Sequence, residues 1–283
     1  MQRDFDSSIS VQCEKDGQIM WNSGRASPVQ RFREVMSQGM VVGTFSKSLD
    51  PAFIEIMGQT GFDFVVLDLE HGPNTVLSLQ NLIRAAEVTG LFPIVRVKQD
   101  TPSLISEVLD VGAGGIQAPN ISCKEDAERV VHVARFAPLG MRGVCRFVRA
   151  ASYSSLDRYE YFSQANTTVV VLQLEGVAAV RNIREILSVP GVDIIFVGPY
   201  DLSQSLGVPG DVDNPRVTEA MRTIVDECLT RHVVVGTFVD TIEGARKWRA
   251  AGVKYLCYSV DVGLFTEKCH ETTRSLRHEE SRT

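Results

Sequence analysis

The chain has 283 residues, 44% of them hydrophobic, with a formal charge of -6 and a pI near 5.5. That is ample apolar material for one large α/β core, and no break in composition marks a second globular domain. The acidic balance without a Lys/Arg run excludes a nucleic-acid footprint, the lack of any apolar run near the roughly 20 residues of a membrane span excludes an integral membrane protein, and six cysteines without paired spacing exclude a disulfide framework or zinc knuckle.

Residues 1–37 form a polar N-terminal extension, without clear periodicity to about residue 34, and residues 38–283 form one domain. Asp4 and Asp6 stand where a signal peptide needs an apolar run, so a reducing, cytoplasmic compartment and a small-molecule partner are expected, with neither nucleic acid nor membrane. Eight β-rich runs follow, at 41–45, 62–68, 92–97, 114–119, 169–175, 194–198, 233–238 and 255–261. Helix signals lie between them. Thr75 caps a stripe of Leu79, Leu82, Ile83 and Ala86 ended by Gly90, and Thr101-Pro102 opens a second helix. Ser122 and Glu125 have capping-box spacing, and Asn214-Pro215 opens a further helix through Met221, Ile224 and Val225. Eight alternating units imply a single-domain (β/α)₈ TIM barrel; a doubly wound open sheet is the alternative, and no GxGxxG or Walker loop supports it.

In a barrel the carboxyl ends of all strands meet on one face. Glu175 follows Val169–Leu174 and Asp201 follows the Ile194–Tyr200 run, so two acids stand on neighbouring strand ends. Each could equally cap or charge the helix that follows it. Together they suit a hard divalent cation, Mg²⁺ or Mn²⁺, with positions open to water and substrate. His71 is the one histidine at a strand end, and Asp68, three residues earlier, can orient its imidazole as a general base requires. Arg96 ends an apolar strand, where it either pairs with Glu70 or stabilises an oxyanion. The Gly198-Pro199 loop exposes N–H groups for a substrate carboxylate, and Arg142 and Arg146 in the long fourth loop either close over an anion or remain solvated.

The strings LDLEHGPN (67–74), PIVRV (93–97), GMRGV (140–144), LQLEG (172–176) and VGPYDLSQSLG (197–207) resemble the HpcH/HpaI family of class II, metal-dependent pyruvate aldolases, over roughly residues 38 to 276. The resemblance implies a (β/α)₈ barrel and a metal held by Glu175 and Asp201, most often Mg²⁺ with Mn²⁺ or Co²⁺ as alternatives. Arg96 would stabilise an enolate, Gln173 would support the site, and Asp68 with His71 would govern proton transfer. It further implies a homo-oligomer, a hexamer built as a trimer of dimers that exchange their last helix, here about Val262 to Leu276. The activity implied is cleavage or formation of 4-hydroxy-2-oxo acids through a pyruvate enolate, with oxaloacetate decarboxylation alongside. No lysine is seen at an equivalent strand end, which disfavours a Schiff base. Phe45, Tyr200 and Ser259 depart from the family pattern and line a reshaped substrate pocket. They leave open a macrophomate-synthase-like use of the enolate on a bulkier acceptor such as a 2-pyrone. A catalytically silent metabolite-binding barrel is the remaining alternative.

Overall fold

The computed structural model describes residues 27–280, so most of the polar extension lies outside the described residues. Eight parallel strands close into a barrel in sequence order: β1 Val41–Ser46, β2 Phe64–Asp68, β3 Phe92–Arg96, β4 Gly115–Ala118, β5 Val169–Leu174, β6 Ile194–Val197, β7 Val234–Val239 and β8 Tyr255–Val260. The expected barrel is the observed one. Alternation of side chains sorts the strand residues into two sets. Phe64, Val66, Phe92, Ile94, Val169, Val171, Phe196 and Tyr255 fill the barrel, while Val65, Leu67, Val95, Val170, Leu172 and Ile195 face the surrounding helices.

Those helices are α1 Pro28–Gln38, α2 Pro51–Gln59, α3 Val76–Thr89, α4 Pro102–Asp110, α5 Lys124–Ala134, α6 Arg158–Ala165, α7 Val177–Arg181, α8 Ile183–Ile186, α9 Pro199–Ser205, α10 Pro215–Thr230, α11 Ile242–Ala250 and α12 Asp261–Glu280. The capping predictions hold at Thr75, whose side chain accepts from Ser78 N, and at Asn214, which accepts from Arg216 N. At α5 the cap shifts by one residue. Cys123 is the N-cap, and Asp126 rather than Glu125 turns back, its carboxylate accepting from the backbone N–H groups of Ser122 and Cys123.

Helix α1 lies where the sequence shows no clear periodicity. Its Ser27/Gln30 capping box starts one short helix whose Phe32 and Met36 enter the barrel interior from below. Phe32 stacks on Phe92 with ring centroids 4.2 Å apart and meets Phe64 edge-on at 6.0 Å. Gly43 makes room for this floor, because a Cβ there would collide with the Phe64 ring.

Candidate active site

The strand ends at the opposite mouth carry the polar side chains. Asp68, at the end of β2, is fully buried and gripped by Arg96 from β3, with Nε donating to Oδ1 at 2.9 Å and Nη2 to Oδ2 at 2.7 Å. This fork geometry is the strong form of an ion pair. Arg96 Nη1 is also 3.1 Å from Glu70 Oε2, and the guanidinium lies 4.7 Å over the Phe45 ring. Burial alone would raise the Asp68 carboxyl, but the Arg96 hydrogen bonds and charge hold it below its ordinary value.

The expected Asp68–His71 dyad is corrected. Asp68 Oδ1 accepts from the backbone N–H of Glu70 at 3.0 Å and of His71 at 3.3 Å, and neither carboxylate oxygen is hydrogen-bonded to the imidazole. Three residues past a strand end, the turn brings the His71 backbone to the carboxylate and directs the ring outward. His71 is well exposed, with Nε2 3.9 Å from Glu70 Oε2. The carboxylate beside the histidine at the mouth is therefore that of Glu70.

Gln173 and Glu175 extend from β5. An amide chain runs from Gln117 Nε2 to Gln173 Oε1 (2.6 Å) and from Gln173 Nε2 to Glu175 Oε2 (2.5 Å). Asn120, in the left-handed region at φ 58°, directs its backbone N–H onto Glu175 Oε1 at 2.8 Å. Burial pushes the Glu175 carboxyl up to about 7, opposed by the Gln173 bond and reinforced by the charges of Asp201 and Glu70. Glu70 is raised as well, by burial. Asp201 stands exposed in the first turn of α9, just after β6, which neighbours the strand of Glu175 through the Leu174–Val197 register. Gly198 is required here, since a Cβ would lie 2.8 Å from Glu175 Oε2.

This arrangement fits a divalent cation. Glu175, Asp201 and Glu70 repel one another, and the nearby Arg96 is already committed to Asp68 and Glu70. Among the described residues no three His, Cys, Asp or Glu side chains form a complete metal cage. Two carboxylates would leave most coordination positions to water and substrate, as an open catalytic site needs.

A cavity of about 200 Å³ opens at this mouth, lined by Arg96, Gln173, Gly198, Pro199, Tyr200 and Asp201, with Phe45, Lys47, Phe196, Phe238 and Val260. Lys47 went unread in the sequence. It directly follows β1, its Nζ donates to His71 O at 3.0 Å, and it lies 3.6 Å from Asp68 Oδ2, so a lysine does stand at a strand end. Ser259 does not line the cavity; Val260 does. The register between β1 and β8 shifts at this point, and Ser259 at φ 54° forms the irregularity. Arg142 and Arg146 neither close over the mouth nor lie solvated. Arg142 is buried against Asp110 at 2.6 Å, and Arg146 donates to the carbonyl of Leu156 at 3.1 Å. Strand-end position was the signal that could have found Lys47.

A family model described as HpcH/HpaI aldolase/citrate lyase matches residues 41–267. The chain is 34% identical over 243 residues to a 2-keto-3-deoxy-L-rhamnonate aldolase of Salmonella gallinarum, covering 83% of this chain and 89% of that one. Among solved structures, an HpcH/HpaI aldolase/citrate lyase family protein from Burkholderia cenocepacia J2315 superposes with a TM-score of 0.82 at 32% identity, covering 88% of this chain and 98% of that one. The citrate synthase SbnG superposes with a TM-score of 0.80 at 30% identity and the same coverage.

Proposed function

Because the chain belongs to the HpcH/HpaI aldolase/citrate lyase family and is thus a carbon–carbon lyase, we propose that it cleaves and forms 4-hydroxy-2-oxo acids through a pyruvate enolate. The observation that carries this reading is Arg96, locked by two carboxylates beside the Glu175/Asp201 pair. In the cleavage direction the 4-hydroxyl loses its proton, the C3–C4 bond breaks, and its electron pair passes into the pyruvyl carbonyl as an enolate. A proton returned to C3 completes pyruvate. Decarboxylation of oxaloacetate gives the same enolate and is expected alongside.

Arg96 has five N–H donors; Asp68 engages two of them, and Nη1 is ion-paired with Glu70. Its unengaged N–H groups can donate to the oxygen on which charge develops, a contribution typically worth ~3 kcal/mol at the transition state. Asp68 orients Arg96 and does not itself move the proton. His71, at the rim beside Glu70, exchanges it at Nε2 through a water. Gln173 holds Glu175 by one oxygen, and Glu175 with Asp201 would hold a divalent ion, Mg²⁺ being the preferred assignment. When bound, that ion supplies further positive charge to the developing enolate. The Gly198 N–H is spent on the Leu174 carbonyl at 3.0 Å and Pro199 has none, so these two residues shape the wall that receives the 2-oxo acid rather than donating to its carboxylate.

Two further assignments belong to the same reading. Helix α12 is exposed from Phe265 to Arg277, which supports its exchange with a second copy in a hexamer. Cytoplasmic residence is the second; no helix among the described residues is long and apolar enough to cross a membrane. Pyruvate release from oxaloacetate and from a panel of 4-hydroxy-2-oxo acids, with Mg²⁺ and with chelator, tests the mechanism. Chelation is expected to abolish turnover, and Glu175→Ala to lower kcat/KM ~100-fold or more. Turnover that survives either change overturns the assignment.

A further inference from the structure

The barrel mouth is divided by strand order. Asp68, Glu70, Arg96, Gln117, Gln173 and Glu175 all belong to β2–β5 or the residues just after them. Across the mouth, the contiguous arc β6–β7–β8–β1 contributes Phe196, Phe238, Val260 and Phe45 to the cavity. Three aromatic contacts knit this arc together. Phe45 meets Phe196 at 6.0 Å and Phe238 at 6.2 Å, and Tyr200 meets Phe238 edge-to-face at 5.9 Å. Two hydroxyl protons on this side are already engaged: the Tyr200 hydroxyl donates to Asp240, and Thr237 Oγ1 donates to the Val197 carbonyl at 3.0 Å. Lys47 and Asp201 stand where the two halves meet, after β1 and β6.

A pyruvate enolate belongs on the polar half, where Arg96 and the carboxylates lie. Its reaction partner must then approach over the aromatic half. We propose that the acceptor is a small apolar aldehyde, aliphatic or single-ringed, bound against Phe238 and Tyr200, and that these two side chains set acceptor specificity. This inference rests on the enolate reading given above. A hydroxylated acceptor would bring polar groups against the Phe45, Phe196, Phe238 and Val260 side chains, which offer no hydrogen-bond partner, and each group facing them loses its water for nothing. The cavity of about 200 Å³ is below the roughly 300–1,000 Å³ of sites for drug-sized ligands and suits a short chain or one ring.

Full-length enzyme with Mg²⁺ and pyruvate is assayed for aldol addition to 2-methylpropanal, benzaldehyde, lactaldehyde and succinic semialdehyde. The first and third are near-isosteres that exchange a methyl for a hydroxyl. The expected kcat/KM favours 2-methylpropanal over lactaldehyde by ~10- to 100-fold, the range an apolar pocket achieves against an added hydroxyl. Phe238→Ser is expected to shrink that ratio at least ~10-fold. Tyr200→Ser, at a position exposed enough to tolerate the change, shifts it the same way and covers the case in which Phe238→Ser does not fold. Preference for lactaldehyde or succinic semialdehyde, or an unchanged ratio in a folded variant, overturns the inference. Oxaloacetate decarboxylation needs no acceptor and separates the two levels. If decarboxylation proceeds but no apolar aldehyde is accepted, this inference fails alone; if decarboxylation and every addition are absent, the enolate reading fails and takes it along.

Discussion

Glu175 is ionised at a cost unless a cation joins it. Its carboxyl is raised from 4.5 to about 7 on folding, so between those values the folded chain keeps a proton that the unfolded chain has lost. The stability of metal-free protein therefore falls as pH rises through that window, by about 3 kcal/mol at most. Asp68 has the opposite sign. Its folded-state value is depressed below 3.8, so its contribution is complete above that pH and is lost only in stronger acid, outside the Glu175 window. Urea unfolding in chelator between about pH 5 and about pH 7.5 should show the decline, and Glu175→Gln should flatten it. Saturating Mg²⁺ should also flatten it, by favouring the ionised form. A stability that rises across the window in wild type but not in Glu175→Gln would contradict the assignment. Glu175, Asp201 and Arg96 were legible as charged groups at the ends of apolar strands, although each acid could equally have capped the helix that follows it and Arg96 does pair with Glu70. Gln117 and Asn120 could be read only as polar strand-end residues, since their roles depend on partners 56 and 55 residues away.

At the scale of elements, apolar runs bounded by caps fixed the strand count, because a strand covered on both faces has little freedom in composition. The residues just beyond the strands are less constrained by pattern, and there the sequence misled. Lys47 takes its place through Asp261, the first residue of α12, which is almost fully buried. The Asp261 carboxylate accepts from Ser46 Oγ at 2.8 Å, Lys47 N at 3.0 Å, Ser48 N at 2.8 Å and Val262 N at 2.7 Å. One side chain thus ties the loop after β1 to the start of the last helix. Asp261→Ala leaves four buried or half-buried donors without their acceptor, and is expected to cost about 3 kcal/mol by urea unfolding. Because the loop carries Lys47 into the cavity, kcat/KM for oxaloacetate should fall as well. Retention of both properties would show that the loop is held by other contacts.

Across the whole molecule, the candidate site lies at one end of the barrel and helix α1 plugs the other. Its apolar positions, Val29, Phe32, Val35 and Met36, have helical spacing, but in 11 residues ending a long polar stretch that pattern is too short to stand out before the barrel is known. The reason for the helix is tertiary: the floor between Phe64 and Phe92 would otherwise open to water, and Phe32 fills it. Phe32→Ala removes a nearly fully buried ring at a site where the surrounding barrel cannot collapse, so a loss of about 3–5 kcal/mol is expected in urea unfolding. The strands stay paired in the folded variant, and the mouth is built from their far ends. Oxaloacetate kcat/KM measured well below the unfolding transition should therefore match wild type. A variant that keeps its stability, or one that stays folded yet loses turnover, would mean that the floor and the mouth are not separable in this way.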